Sequence, residues 1–207
     1  MCFSATASFV ASGSIGGIGV LSVKSARSKR ERAFAFVPLF FAGQQALEGV
    51  VWLSLDHPLV KFLAAQAFLF FAYVFWPVFL PWAIARREPL PERRAALRLF
   101  IVAGLGIALY GAMVIVSALP SPVVFHQSLR YGVPVFFPIY APLYAFIVCT
   151  SCLLSSARWI VVFGVALAVS LVAAVMISSA TGDSVWCFFA AWLSVLVVVH
   201  LRLRTRV

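Results

Sequence analysis

From Leu99 to Leu119, and again from Trp159 to Ala180, the chain runs for 21 and 22 residues without one charged side chain. About 20 apolar residues carry an α-helix across the ~30 Å hydrocarbon layer of a bilayer. In lipid the backbone has no water to bond, so a spanning segment satisfies its amides and carbonyls internally as a helix or pairs them in a closed barrel. Runs roughly twice as long as a barrel strand select the helix. Five further apolar stretches, 5–23, 33–55, 59–85, 138–154 and 185–201, are of comparable length. Pro77 and Pro81 fall inside the third, where a membrane helix absorbs them as kinks once neighbours satisfy the freed carbonyls. With 64% hydrophobic and 11% charged residues, against about half and about a quarter in soluble domains, the composition excludes soluble, disordered and collagenous classes. The expectation is one all-α integral membrane domain over residues 1–207, a seven-transmembrane-helix bundle.

The formal net charge of +10 suggests a polyanionic partner until its placement is read. Lys24, Arg27, Lys29, Arg30 and Arg32 follow the first run, and Arg86, Arg87, Arg93, Arg94 and Arg98 follow the third. Arg158 follows the fifth, and Arg202, Arg204 and Arg206 follow the seventh, which leaves Lys61 and Arg130 for the other face. Short cytoplasmic loops collect Lys and Arg, so the N-terminus is expected outside and the C-terminus in the cytoplasm. The inner (plasma) membrane is the expected location of such a multi-pass chain. The lipid bilayer accounts for the charge, and no nucleic acid partner is needed. Met1 to Ser4 carry no positive charge, unlike the start of a cleaved signal peptide, so the first run is expected to insert as an uncleaved anchor.

Polar residues inside the spans require a reason. Glu48 is the one acidic residue within a run, and an intramembrane carboxylate costs several kcal/mol unless it is paired, protonated or facing a polar cavity. Gln44 and Trp52 lie one turn either side of it, with Gln45 adjacent, on one stripe of the second helix. Counting back from Leu55, Glu48 sits about 10 Å below the outer surface. The first, second, fourth and seventh helices all have an end on that side, so Cys2, Glu48, His126 and Cys187 can converge there, with Arg130 and Tyr131 following His126. Two thiols, an imidazole and a carboxylate would suit zinc or another divalent transition metal, and sulfur argues against calcium or magnesium. A Cys2 to Cys187 disulfide beside a structural carboxylate, or a metal-free hydrogen-bonded pocket, stays open beside that reading. Cys149 and Cys152 read as small buried residues. Ser8, Ser12 and Gly16 form a stripe on the first helix, and Gly13 with Gly17 is a G-x-x-x-G that predicts close approach to a neighbour. Trp76, Trp82, Trp159 and Trp186 read as an aromatic belt, and His200 as interfacial polarity.

The opening Met1-Cys2-Phe3-Ser4, the segment Gln44-Gln45-Ala46-Leu47-Glu48-Gly49 and the segment Trp186-Cys187-Phe188-Phe189-Ala190-Ala191 resemble an uncharacterised family of small bacterial multi-pass membrane proteins that begin Met-Cys-Phe-Ser. The resemblance covers the whole chain and implies an inner-membrane bundle; it brings no activity. Two functional classes follow from the residues. One is an intramembrane metal-assisted hydrolase or transferase, with Cys2, His126 and Cys187 as ligands and Glu48 as ligand or general base. The other is a non-enzymatic sensor, carrier or assembly factor that binds a small molecule or lipid through Gln44, Gln45, Trp52, Arg130 and Tyr131. A retinal protein is excluded, since the seventh helix has no lysine for a Schiff base.

Overall fold

The computed structural model describes residues 4–125, 127–133, 139–177 and 181–203. The chain opens with α1, Ala5–Ser25, whose first turn is capped by the Ser4 hydroxyl accepting from the Ala7 amide. Next come α2, Lys29–Ala35, and α3, Val37–Leu53, which together form one span. Ser28 and Glu31 start α2 with a reciprocal capping box. The interruption at Phe36 lies just before Pro38, which has no N–H to extend the hydrogen-bond ladder. A second composite span joins α4, Pro58–Leu69, a π-helical turn at Phe70–Phe75, and α5, Trp76–Arg87. The long α6, Pro91–Ala118, starts eight residues before the apolar run, so Arg93, Arg94 and Arg98 ride on its first turns. An antiparallel hairpin follows, β1 Val123–Phe125 with β2 Ser128–Arg130, pairing Val123 with Arg130. The remaining helices are α7 Tyr140–Leu153, α8 Arg158–Ile177, α9 Gly182–Leu193 and α10 Val195–Leu203. Among the described residues six helices are long and apolar enough to cross a membrane, and α7 is a shorter apolar one.

Lipid tails are as apolar as leucine, so helices in a bilayer associate through close packing and hydrogen bonds rather than hydrophobic burial. The prolines of α5 show how. Pro77 cannot donate to the Tyr73 carbonyl four residues back, and the Tyr140 hydroxyl of α7 donates to that oxygen at 3.1 Å. Pro81 likewise frees the Pro77 carbonyl, which lies against Gly104 of α6 so closely that a Cβ there would stand 2.0 Å from the oxygen. Gly111 of α6 gives similar room to the Tyr73 carbonyl and the Tyr140 hydroxyl.

On α1 the small-residue stripe works, but through different glycines from those of the G-x-x-x-G. Ser12 donates to the Ala42 carbonyl at 2.9 Å. A Cβ on Gly16 would touch the Ala42 side chain at 3.7 Å, and one on Gly19 would collide with Leu39 at 2.6 Å. Gly13 and Gly17 have nothing within 4 Å of a Cβ position, so the expected close approach is not theirs. The reason is helical phase: α3 crosses the Ser12, Gly16 and Gly19 side.

Lys29, Arg86, Arg93 and Arg158 sit at helix ends that meet at one end of the bundle, where Glu88 joins two turns. Its carboxylate accepts from the Ser156 amide at 2.8 Å, the Ser156 hydroxyl at 2.5 Å and the Leu90 amide at 3.3 Å. Arg94 donates to the Glu88 carbonyl at 2.7 Å. His200, expected as interfacial polarity, is instead 4% exposed, edge-on to the Phe34 ring at 6.4 Å, because α10 packs against α2.

Candidate functional site

Near the opposite end α3 faces α9, and the stripe of Phe41, Gln44, Gln45 and Glu48 is turned inward. Gln44, Gln45, Glu48 and Ser184 have no solvent exposure. Hydrogen bonds tie the helices together. The Ser184 hydroxyl donates to Glu48 Oε1 at 2.5 Å, and Gln44 Nε2 donates to Cys187 Sγ at 3.1 Å. Residues four apart on α3 thus meet residues three apart on α9, the spacing that puts both pairs on facing stripes of antiparallel helices. Ser184 lies in the first turn of α9, so its hydroxyl meets Glu48 at the start of that helix. Gln45 Nε2 approaches Glu48 Oε2 at 3.5 Å.

Trp76 of α5 decides the orientation of the Gln44 amide. An indole N–H only donates, and Trp76 Nε1 lies 2.8 Å from Gln44 Oε1. The oxygen of the amide therefore faces Trp76, and its NH2 group must face Cys187. Phe41 stacks on Trp76 with ring centroids 4.0 Å apart. Trp76 was expected in an aromatic belt, yet it is 3% exposed; the π-helical turn and Pro77 bring it into the bundle.

Cys187 also lines a cavity of about 180 Å³, with Tyr73, Tyr140, Tyr144 and Trp186 as its aromatic walls. Trp186 Nε1 donates to the Leu167 carbonyl at 3.2 Å and the Tyr140 hydroxyl donates to Tyr73, which leaves their rings to form the walls. Ala141 and Ala145 of α7 and Leu171 and Val175 of α8 line the same cavity. Ala141 and Val175 are exposed on the outer surface of the bundle, so the opening faces sideways between two helices. A smaller void of about 20 Å³, lined in part by Phe41, Trp76 and Trp186, lies on the other side of Cys187.

Of the residues singled out from the sequence, Gln44, Gln45, Glu48 and Cys187 come together. Trp52 Nε1 is buried one turn beyond Glu48 with no hydrogen-bond partner among the described residues. Arg130 lies over the Phe125 ring at 5.4 Å, and Tyr131 stacks on Phe68 at 4.7 Å. The strand β2, which ends at Arg130 just before Tyr131, packs against α9, the helix that carries Ser184 and Cys187. Cys2 and His126 lie outside the described residues, and with them the expected disulfide and half of the expected metal set. Among the described residues, no three His, Cys, Asp or Glu side chains come together. Cys152 packs against Gly164 of α8, where an added Cβ would lie 2.5 Å from the cysteine's own. Ser184, Trp76 and the tyrosines went unread as site residues. Only Ser184 carried a usable signal, its position one turn before Cys187.

Among curated proteins and solved structures nothing matches this chain. A family model does match, over residues 1–207, and so the chain belongs to the family described as a family of unknown function (DUF6629).

Proposed function

We propose that this is a seven-crossing protein of the inner membrane, N-terminus outside, whose outer-leaflet pocket binds a small membrane-dissolved molecule beside Cys187. The observation that carries this reading is the sideways-opening aromatic cavity with a thiol on its wall, held from behind by Gln44. An apolar cavity of roughly 150 Å³ is large enough to take up benzene, so about 180 Å³ suits a single ring or a short chain. The ligand is apolar in its body and reaches the pocket through the bilayer, between α7 and α8. Behind Cys187, which lines the cavity, the buried polar groups of Gln44, Glu48 and Ser184 would fix the thiol's position. On this reading the protein is a sensor or carrier. A second reading, a zinc-type centre of a hydrolase or transferase, draws on the nearness of Glu48 to the Cys187 pair and needs Cys2 and His126 to complete its donors.

Thiol labelling of the detergent-purified protein tests the pocket, with peptide mass spectrometry as readout. Cys187 should react faster with N-phenylmaleimide than with a maleimide bearing a sulfonate, because the cavity admits a ring and not a charge. Equal rates, or no reaction at Cys187 with either reagent before and after reduction, would overturn the reading. Stoichiometric zinc in elemental analysis, lost in Glu48→Gln and Cys187→Ala, would replace it with the metal centre.

A further inference from the structure

At the basic end a separate groove of about 280 Å³ runs along the outside of the bundle between α2–α3 and α5, lined by Lys29, Phe36, Phe40, Phe79, Trp82 and Arg86. Its two cations stand together at one end. Phe79 lies seven residues before Arg86 on α5, so the aromatic part extends about 10 Å from the charged end towards the bilayer centre. The aromatic wall is braced: Phe40 meets Phe79 at 4.9 Å and Phe75 at 4.8 Å, and Phe75 stacks on Phe79 at 4.6 Å. The Arg86 guanidinium is held over the Trp82 ring at 5.2 Å, which keeps its charge at the mouth. The acidic residues nearest in sequence accept hydrogen bonds from neighbouring turns. Glu31 accepts from the Arg27 and Ser28 amides, and Glu88 accepts from Ser156 and Leu90.

A groove with two cations at headgroup depth and an aromatic trough below them matches an anion with a hydrocarbon tail. We infer that it binds an anionic glycerophospholipid, its phosphate between Lys29 and Arg86 and the upper part of one acyl chain along Phe40, Phe79 and Trp82. Basic pockets on the cytoplasmic side of membrane proteins hold acidic headgroups by this attraction. The aromatic wall adds contact that free phosphate or a zwitterionic lipid in the same place would not combine with a net charge. This site is independent of the Cys187 pocket and lies at the other end of the bundle.

Native mass spectrometry of the full chain released from nanodiscs tests it, using phosphatidylglycerol and phosphatidylcholine in equal amounts. Wild type should retain phosphatidylglycerol in preference, and Lys29→Gln with Arg86→Gln should lower that retention about tenfold. Arg30→Gln with Arg158→Gln removes the same charge from exposed positions outside the groove and should leave it unchanged. Phe79→Ala should weaken retention of phosphatidylglycerol, whereas inorganic phosphate added to the detergent-purified protein should not compete. Equal loss in both double variants, equal retention of the two lipids by wild type, or full competition by phosphate would overturn the inference.

Discussion

A glutamine amide presents opposite chemistry on its two faces, and at Gln44 the neighbours choose between them. The Trp76 indole demands the oxygen, so the NH2 group points at Cys187 and makes its sulfur an acceptor. Trp76→Phe keeps a six-membered ring for Phe41 to stack on and removes the N–H together with the rest of the indole's five-membered ring. The expected outcome is a stability loss of about 2 kcal/mol, from the lost hydrogen bond and the void left at a buried position, together with a changed rate of Cys187 labelling, since the amide is then free to turn. Unchanged labelling would mean that Trp76 does not set the thiol's environment. Glu48 was legible from sequence because a carboxylate in a span is costly wherever it sits. Trp76 was not, since a tryptophan near a helix end has the same sequence appearance whether it faces lipid or a buried amide. Glu88 was hidden for a similar reason: among arginines it reads as a solvated loop acid, and its 2% exposure follows from a turn 68 residues away.

At the scale of the element, six of the seven expected spans appear among the described residues as helices long and apolar enough to cross a membrane and the run 138–154 as the shorter α7, because helix length and apolarity are properties of each segment alone. Which face of a helix meets a neighbour is not. The G-x-x-x-G of α1 identified a helix able to pack closely, while the contact fell on Ser12, Gly16 and Gly19. The α5–α6 contact provides a matched test. Gly104→Ala puts a methyl 2.0 Å from the Pro77 carbonyl, whereas at Gly106 there is nothing within 4 Å. Gly104→Ala should therefore cost about 3 kcal/mol or more, visible as a lowered melting temperature in detergent, and Gly106→Ala should be close to neutral. Equal behaviour of the two would show that α5 and α6 do not pack in this register. Pro77 and Pro81 marked where kinks would fall, but that a tyrosine of α7 and a glycine of α6 would receive the freed carbonyls depends on which helices are adjacent.

For the whole molecule, the proposed odd number of crossings puts the ends of the chain on opposite sides of the membrane. A green fluorescent protein fused after Val207 should fluoresce, and an alkaline phosphatase fused there should be inactive. Phosphatase inserted at the β1–β2 turn should be active. Activity of the phosphatase at both places would mean an even count between them and would remove the proposed orientation. Fourteen of the sixteen basic residues fall on the side proposed as cytoplasmic. The sequence by itself determined that the chain has several helices able to cross a membrane and that Glu48 is costly within one of them, because the bilayer acts on each residue according to its own polarity. Only the tertiary structure decided that Glu48 meets Ser184 and Gln44 meets Cys187, partners 136 and 143 residues apart. Such pairs depend on the phase and neighbours of two helices at once, and no local property of either segment encodes that.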